Sequence, residues 1–228
     1  MMVGIYHVDG KDYASKQAYA CGRLLVKSVR RAMPSVRVVH LTDLTSPPIK
    51  GVDDVRRKPT EPMALLRMRH HAGVKGDWLF LDTDVTVQRC VKHVFDSPFD
   101  IAVTTRNWTH LKPAKGFSEQ MPYNTGVVFS RCPAFWSEAY TRLRRTDDAE
   151  AQHWMGDQQI IGDIVDDDTC RYAIRKVWGS KYNFPPAAGN EDNHVLSHRM
   201  QAAAHIVHYK GPERKALMLD ARRAARCA

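Results

Sequence analysis

The sequence contains no apolar run that approaches the roughly 20 residues needed to cross a bilayer. Its first residues, 1–7 (MMVGIYH), lack the basic start and the long apolar core of a secretory signal peptide. Low-complexity tracts and internal repeats are also absent. These absences argue against a membrane-spanning, a secreted or a disordered chain, and they favour an ordinary globular protein.

Cysteines are few, and their spacing forms no recognisable site. Their number is odd, and no two stand in a C-x-x-C pair, which argues against a disulfide framework and against a structural zinc site. We therefore expect reduced thiols and a cytoplasmic location. The cysteines are Cys21, Cys90, Cys132, Cys170 and Cys227.

The charge balance is basic, with a net charge of +9 over 228 residues, a length that predicts one domain over 1–228. A basic surface favours anionic partners such as nucleotides, phosphorylated glycans, lipid surfaces or nucleic acid. Zinc-finger, basic-zipper and RNP-like signatures are missing. Nucleic-acid binding therefore remains an alternative that rests on the positive charge alone. A compact basic run at 221–226 lies in a C-terminal tail that begins at about residue 216. We expect this run to be either a solvated helix end or a peripheral membrane contact.

Hydrophobic periodicity predicts an α/β fold. A strand at 3–8, a helix at 13–33 and a strand at 36–41 form the opening typical of such domains. The fully apolar segment 78–81 is expected at the centre of a mostly parallel sheet flanked by helices. Further strands are predicted at 101–104, 126–130, 171–177 and 205–209, and further helices at 62–72, 133–144 and 157–165.

Two carboxylates, Asp82 and Asp84, follow the apolar segment 78–81 directly. On an extended chain, residues two apart point to the same side, and ligands of open α/β sheets bind beyond the carboxyl ends of the strands. Two like charges this close repel unless a cation or donors separate them. Oxygen ligands suit hard divalent ions, which can bind a diphosphate and stabilise its charge. The pair therefore predicts a divalent metal site.

Four segments, in order along the chain, resemble the motifs of GT-A-fold glycosyltransferases, in particular glycosyltransferase family eight, which includes glycogenin and bacterial lipopolysaccharide galactosyltransferases. Segment 78–84 (WLFLDTD) resembles the D-x-D strand, and 122–127 (PYNTGV) resembles the F-N-A/S-G-V segment. Segment 156–158 (GDQ) resembles the D-Q motif, and 208–211 (HYKG) resembles the start of H-x-x-G-x-x-K-P-W. Each motif is weak alone, but together they span nearly the whole chain.

The resemblance implies a Rossmann-like GT-A domain that transfers a hexose from a UDP-sugar to a hydroxyl of a glycan or other acceptor, with retention at the anomeric carbon. It implies that Asp82, Asp84 and His208 surround the metal ion. One imidazole with two carboxylates suits Mn²⁺ better than Mg²⁺. The resemblance also places Arg67 where a basic residue faces the donor.

The resemblance further implies catalytic and sugar-contacting groups. Asn124 and Gln158 would contact the sugar, with Asp157 close by. Tyr6 or Tyr13 would stack on the uracil, and the sequence does not choose between them.

The last motif departs from the family pattern. The family has a lysine three residues beyond the glycine that corresponds to Gly211, but this chain has Arg214 there, followed by Lys215. Its Pro-Trp is replaced by Ala216-Leu217. Either cation could contact the diphosphate.

Each site residue also has a purely structural alternative. His208 in an apolar strand could be a core histidine, Asp157 could be a helix N-cap, and 124–126 could be a turn before a strand.

A second enzyme class also places D-x-D after an apolar strand. Segment 82–86 fits the D-x-D-x-T/V motif of haloacid-dehalogenase-like phosphatases, in which Asp82 would be the nucleophile and Asp84 a general acid/base. Asp163 and Asp167 mimic the downstream acidic motif of that class. However, that motif normally opens the domain, whereas here a strand–helix–strand unit precedes it.

Overall fold

A computed structural model describes residues 1–10, 13–106, 121–153, 155–187 and 194–227, and for 13–15, 194–196 and 221–227 it describes the backbone alone. Among these residues no helix is both long and apolar enough to cross a membrane. The four cysteines whose side chains are described are free thiols: Cys21, Cys90, Cys132 and Cys170.

The centre of the molecule is a seven-stranded sheet in the order β3-β2-β1-β4-β7-β6-β8, and β5 and β9 form a separate two-stranded ribbon. Strand β7 runs antiparallel to both of its neighbours, and the other neighbouring pairs of the sheet are parallel. The sheet is therefore mostly parallel, as predicted. The strands are β1 (Met2–Tyr6), β2 (Arg37–Asp43), β3 (Asp54–Lys58), β4 (Trp78–Asp82), β5 (Val85–Val87), β6 (Ile101–Thr105), β7 (Tyr123–Ser130), β8 (Ile174–Trp178) and β9 (Ile206–His208).

Helices flank the sheet, and proline marks some of their ends. Pro34 follows the first helix, and Pro133 opens a later one, where its missing N–H is not needed. The helices are α1 (Tyr13–Ala32), α2 (Met63–Ala72), α3 (Pro133–Arg144), α4 (Ala149–His153), α5 (Gly156–Val165), α6 (Gly179–Tyr182), α7 (His194–Ala203) and α8 (Pro212–Cys227), with a 3-10 turn at Lys92–Asp96.

Most of the core lies in two apolar layers, one on each face of the sheet. Alternate residues of a strand face opposite sides, so Leu79 and Leu81 pack in the layer that contains α1. Trp78 and Phe80 pack in the layer that contains α2, α3 and α5. Strand β4 is therefore buried on both faces at the middle of the sheet, which explains its continuous apolar sequence.

The predicted strands and helices are found within a few residues of their expected ends. The sequence pattern missed β3, whose residues DVRRK form a half-exposed edge strand without apolar alternation. It also missed β5, α4, α6 and α7. The basic tail predicted from about residue 216 lies in α8, and because the side chains of 221–227 are not described, its membrane contact stays a prediction.

Candidate functional site

A short ribbon brings the two carboxylates next to the downstream histidine. Strand β4 ends at Asp82, and the chain turns before β5 begins at Val85, so it is not extended through Asp84 as predicted. Strand β5 pairs with β9 in a register that places Val85 opposite His208. The Tyr209 N–H donates to the Asp84 carbonyl at 2.7 Å. The ribbon, rather than a continuous strand, positions Asp84 beside the imidazole.

Asp82, Asp84 and His208 lie together as predicted. Nε2 of His208 is 3.2 Å from Oδ1 of Asp84 and 3.9 Å from Oδ2 of Asp82. One ligand atom from each residue lies within 4.8 Å of the others, and no second such cluster of His, Cys, Asp or Glu occurs among the described residues. His208 is 3% exposed, so the imidazole is buried beside the two carboxylates.

Each carboxylate divides its oxygens between a fixed cation and the histidine. Oδ1 of Asp82 binds Arg67 Nη2 at 2.6 Å, and Oδ2 of Asp84 lies 3.2 Å from Lys215 Nζ. The other two oxygens face Nε2 of His208. Burial would raise the pKa of Asp84, but His208 and Lys215 outweigh it and hold that pKa below its usual range. Two carboxylates and one imidazole form a donor set that fits a divalent ion such as Mn²⁺.

The antiparallel strand β7 brings Asn124, Thr125 and Gly126 to the same edge of the sheet as Asp82. Because β7 runs against β4, its first residues lie where β4 ends. These residues are part of a strand, so the turn alternative is wrong. A Cβ at Gly126 would lie 2.2 Å from Cε1 of His208. Glycine is required here because the strand passes directly beside the imidazole.

Arg67 joins the three segments of the site. Nη1 donates to Oδ2 of Asp157 at 2.8 Å and to Oγ1 of Thr125 at 3.2 Å, while Nη2 binds Asp82. Burial lowers the pKa of Arg67, but the carboxylates of Asp82 and Asp157 raise it by more than burial lowers it. The pKa of Arg67 is therefore above its usual value. The guanidinium is a permanent positive charge in the wall of the site.

Asp157 and Gln158 form the first turn of α5. The cap residue is Met155, so Asp157 is not the N-cap considered as an alternative. Oδ1 of Asp157 accepts from the Gln158 N–H at 2.9 Å, and Oδ2 accepts from Thr125 and Arg67. Both oxygens of this buried carboxylate therefore have donors.

The Gln158 amide has a defined orientation. Its Oε1 accepts from an Arg106 guanidinium N–H and from Asn124 Nδ2, the latter at 3.4 Å. A guanidinium can only donate, so the atom that faces it is the amide oxygen. The NH₂ of Gln158 is therefore the donor end of the side chain, and Gln158 lines the cavity described next.

A cavity of about 290 Å³ lies over these residues. Most of the site residues predicted from the sequence line it: Arg67, Asp82, Asp84, Asn124, Asp157, Gln158, His208, Gly211 and Lys215.

Among the described residues, Tyr6 is a predicted contact that does not line the cavity. Tyr6 is 5% exposed, its hydroxyl donates to the Met63 carbonyl at 3.0 Å, and the Arg67 guanidinium covers its ring at 5.2 Å. The prediction that Tyr6 stacks on a base is therefore not supported by this packing. The Tyr13 side chain lies outside the described residues, so that alternative stays a prediction.

Of the two candidate phosphate-binding cations, Lys215 is at the site. Arg214 donates instead to the backbone carbonyls of Pro186 and Lys210. Lys215 lines the cavity beside Asp84. Of these two neighbours, the residue four positions beyond Gly211 therefore lines the cavity, and the one three positions beyond it is not among the lining residues.

Three functional candidates were missed from the sequence. Lys210 lines the cavity, and burial lowers its pKa to about 8, with Arg106 acting in the same direction. Arg106 orients Gln158. Asn183 binds the far side of the His208 ring at 2.8 Å. Lys210 lies inside the HYKG segment and could have been noticed, whereas Arg106 and Asn183 carry no motif.

The second acidic motif of the phosphatase alternative does not lie at the site that contains Asp82 and Asp84. Asp163 is exposed on α5, and Asp167 lies 3.9 Å from Arg142. Neither is among the residues that line the cavity in the described part of the chain.

No protein-family model and no curated protein matches the sequence. Solved structures do match the fold. The galactosyltransferase LgtC, in complex with donor and acceptor sugar analogs, is 15% identical, with a TM-score of 0.59 over 93% of this chain and 88% of that chain. The glycosyltransferase GlyE of Streptococcus pneumoniae TIGR4 is 14% identical, with a TM-score of 0.60 over 92% of this chain and 55% of that chain.

A third match is mouse xyloside xylosyltransferase 1, which is 12% identical, with a TM-score of 0.56 over 92% of this chain and 97% of that chain. Identities this low show the fold and not the substrate. The matches agree with the mostly parallel sheet and the flanking helices. The chain therefore has the GT-A glycosyltransferase fold.

Proposed function

We propose that the chain is a metal-dependent glycosyltransferase that moves a hexose from a UDP-sugar to a hydroxyl of a glycan or other acceptor, with retention at the anomeric carbon. The observation that carries this proposal is the convergence of Asp82, Asp84 and His208 in one cavity of a GT-A fold. The order of the four family-eight-like motifs supports the choice of donor and the retained configuration.

Asp82, Asp84 and His208 would hold a divalent ion, Mn²⁺ or Mg²⁺, which when bound supplies positive charge to the phosphates of the donor. Lys215 and Lys210 lie at the same wall. Their ammonium groups would stabilise the negative charge that grows on the diphosphate as the sugar departs. Because Lys215 lines the cavity and Arg214 is not among its lining residues, we propose Lys215 rather than Arg214 as the diphosphate contact.

The sugar would lie against Asn124 and Gln158. The oriented NH₂ of Gln158 would donate a hydrogen bond to a sugar hydroxyl. Asp157 has donors on both oxygens, so we propose that it fixes Arg67 at the donor site rather than attacking the sugar. Tyr13 remains the candidate for stacking on the uracil, and α8 remains the candidate for a peripheral membrane contact of a cytoplasmic enzyme.

The proposal is tested by the hydrolysis of a panel of UDP-hexoses, in which water takes the place of the acceptor and UDP and free hexose are released, with Mn²⁺ or with a chelator. We expect Mn²⁺-dependent release that is lost in Asp84→Asn. The control is Asp163→Asn, which removes an exposed carboxylate from α5 and should keep the wild-type rate. Release that persists with the chelator, or in Asp84→Asn, would contradict the metal role.

A further inference from the structure

Asn183 connects three segments of the chain behind the site. It follows α6, is 0% exposed, and its side chain binds one residue on each of β9, β7 and β6. Its Oδ1 is 2.8 Å from Nδ1 of His208. Its Nδ2 is 2.8 Å from Oδ1 of Asn124 and 2.7 Å from Oγ1 of Thr104.

The orientation of this amide follows from a group that can only donate. The backbone N–H of Gly126 lies 2.9 Å from a side-chain terminal atom of Asn124. An N–H needs an acceptor, so that Asn124 atom is the carbonyl oxygen. The Asn183 atom that faces the same oxygen must then be a donor, which is the NH₂.

Thr104 supports the same orientation independently. Its hydroxyl has one hydrogen, which it donates to the main-chain carbonyl of Asn124 at 2.8 Å. Toward Asn183 the hydroxyl is therefore an acceptor. Both hydrogens of the Asn183 NH₂ are thus directed to Asn124 and Thr104, and its carbonyl oxygen faces His208.

An amide oxygen can only accept, so Nδ1 of His208 carries the hydrogen of this bond. In a neutral imidazole with a hydrogen on Nδ1, the lone pair is on Nε2. Nε2 is the ring atom that faces Asp82 and Asp84. The hydrogen bonds that run from the Gly126 N–H through Asn124 and Asn183 to His208 therefore select which nitrogen of the imidazole can bind a cation.

We propose that Asn183 is a positioning residue that holds His208 in the Nδ1–H tautomer and directs the Nε2 lone pair at a divalent cation. The inference rests on the proposed function, since it takes Asp82, Asp84 and His208 as the metal ligands. Hydrogen-bond partners of ligating histidines fix both tautomer and ring orientation, and their loss typically weakens metal binding about 10–100-fold.

The first test compares Mn²⁺ binding by wild type, Asn183→Leu and a control, measured by electron paramagnetic resonance without donor or acceptor. The control is Ser130→Ala, which removes another buried hydrogen bond, from Trp136 Nε1 at 2.8 Å, away from the cavity. We expect a loss of affinity of about 10–100-fold in Asn183→Leu and wild-type affinity in Ser130→Ala.

Equal Mn²⁺ affinity in wild type and Asn183→Leu would overturn the inference and leave the proposed function standing. No Mn²⁺ binding by the wild type would instead overturn the proposed function, and this inference with it.

A second test needs no variant at Asn183, so it does not depend on how that variant folds. Wild-type protein with isotope-labelled histidine is loaded with a spin-active cadmium isotope and measured by NMR, with His208→Gln used to assign the signals. We expect spin coupling between cadmium and Nε2 of His208, and a slowly exchanging hydrogen on Nδ1. Coupling to Nδ1 would overturn the inference.

Discussion

Asp82 and Asp84 each present one oxygen to a fixed cation and the other to Nε2 of His208. At the scale of single residues, this division decides which atoms remain for a metal ion. The cations also keep the two carboxylates from repelling one another when the site holds no ion. Substitutions that shift the His208 ring by even a fraction of an ångström should therefore reduce the affinity for a metal ion more than they reduce the stability of the fold.

Gly126→Ala tests this point. The added Cβ would lie 2.2 Å from Cε1 and 2.7 Å from Nδ1 of His208. We expect an overpacking cost of about 1–3 kcal/mol in unfolding free energy, measured by urea denaturation, together with loss of Mn²⁺ binding, measured by titration calorimetry.

The matched control is Gly162→Ala, whose Cβ would meet its nearest atom, Cδ2 of Tyr123, at 4.0 Å in the middle of α5. Alanine is the better helix former by up to about 1 kcal/mol. This variant should therefore be at least as stable as wild type and should bind Mn²⁺ normally. Normal Mn²⁺ binding by Gly126→Ala would show that the imidazole does not need its observed position.

Residues that lie within motifs could be predicted from the sequence. Residues whose roles depend on the rotation of a helix or on partners far along the chain could not. Arg214 and Lys215 are neighbours in α8, and adjacent residues of a helix point about 100° apart. Lys215 lines the cavity and Arg214 is not among its lining residues, and the sequence does not reveal the rotation of the helix. Asn183 could not be predicted, because its partners come from three strands far apart in the chain.

At the scale of elements, the ribbon of β5 and β9 is the connection between the carboxylates and His208. The ribbon is short, and Ile206 anchors β9 in the apolar layer beside α1 with 0% exposure. The sequence predicted β9 but not the three-residue β5, since so short a strand has no readable alternation. The predicted closeness of Asp84 and His208 was thus correct, while the element that produces it was not foreseen.

Ile206→Ala should therefore affect the site as well as stability. Removing a buried isoleucine side chain costs about 2–5 kcal/mol, and we expect weaker Mn²⁺ binding because β9 is held less firmly. The comparison is Leu143→Ala in α3, a residue with 1% exposure in the other apolar layer. Urea denaturation should show similar losses for both. If both variants bind Mn²⁺ equally well, the ribbon does not control the geometry of the site.

At the scale of the whole molecule, the site depends on one strand that runs against the rest. Strand β4 is parallel to β1, but β7 is antiparallel to β4, so the start of β7 meets the end of β4. The fold class and the central position of β4 could be predicted from hydrophobic pattern and motif order. The direction of β7 could not, because strand pairing depends on contacts between distant segments that periodicity does not report.

The central claim is that one divalent ion is held by Asp82, Asp84 and His208 at this edge of the sheet. Its most direct test is a crystal of the protein soaked with Mn²⁺ and UDP, with diffraction measured at a wavelength where manganese scatters anomalously. We expect an anomalous peak between the Asp82 and Asp84 carboxylates and Nε2 of His208, with the diphosphate beside Lys215. A peak elsewhere, or none while UDP is bound in the cavity, would contradict it.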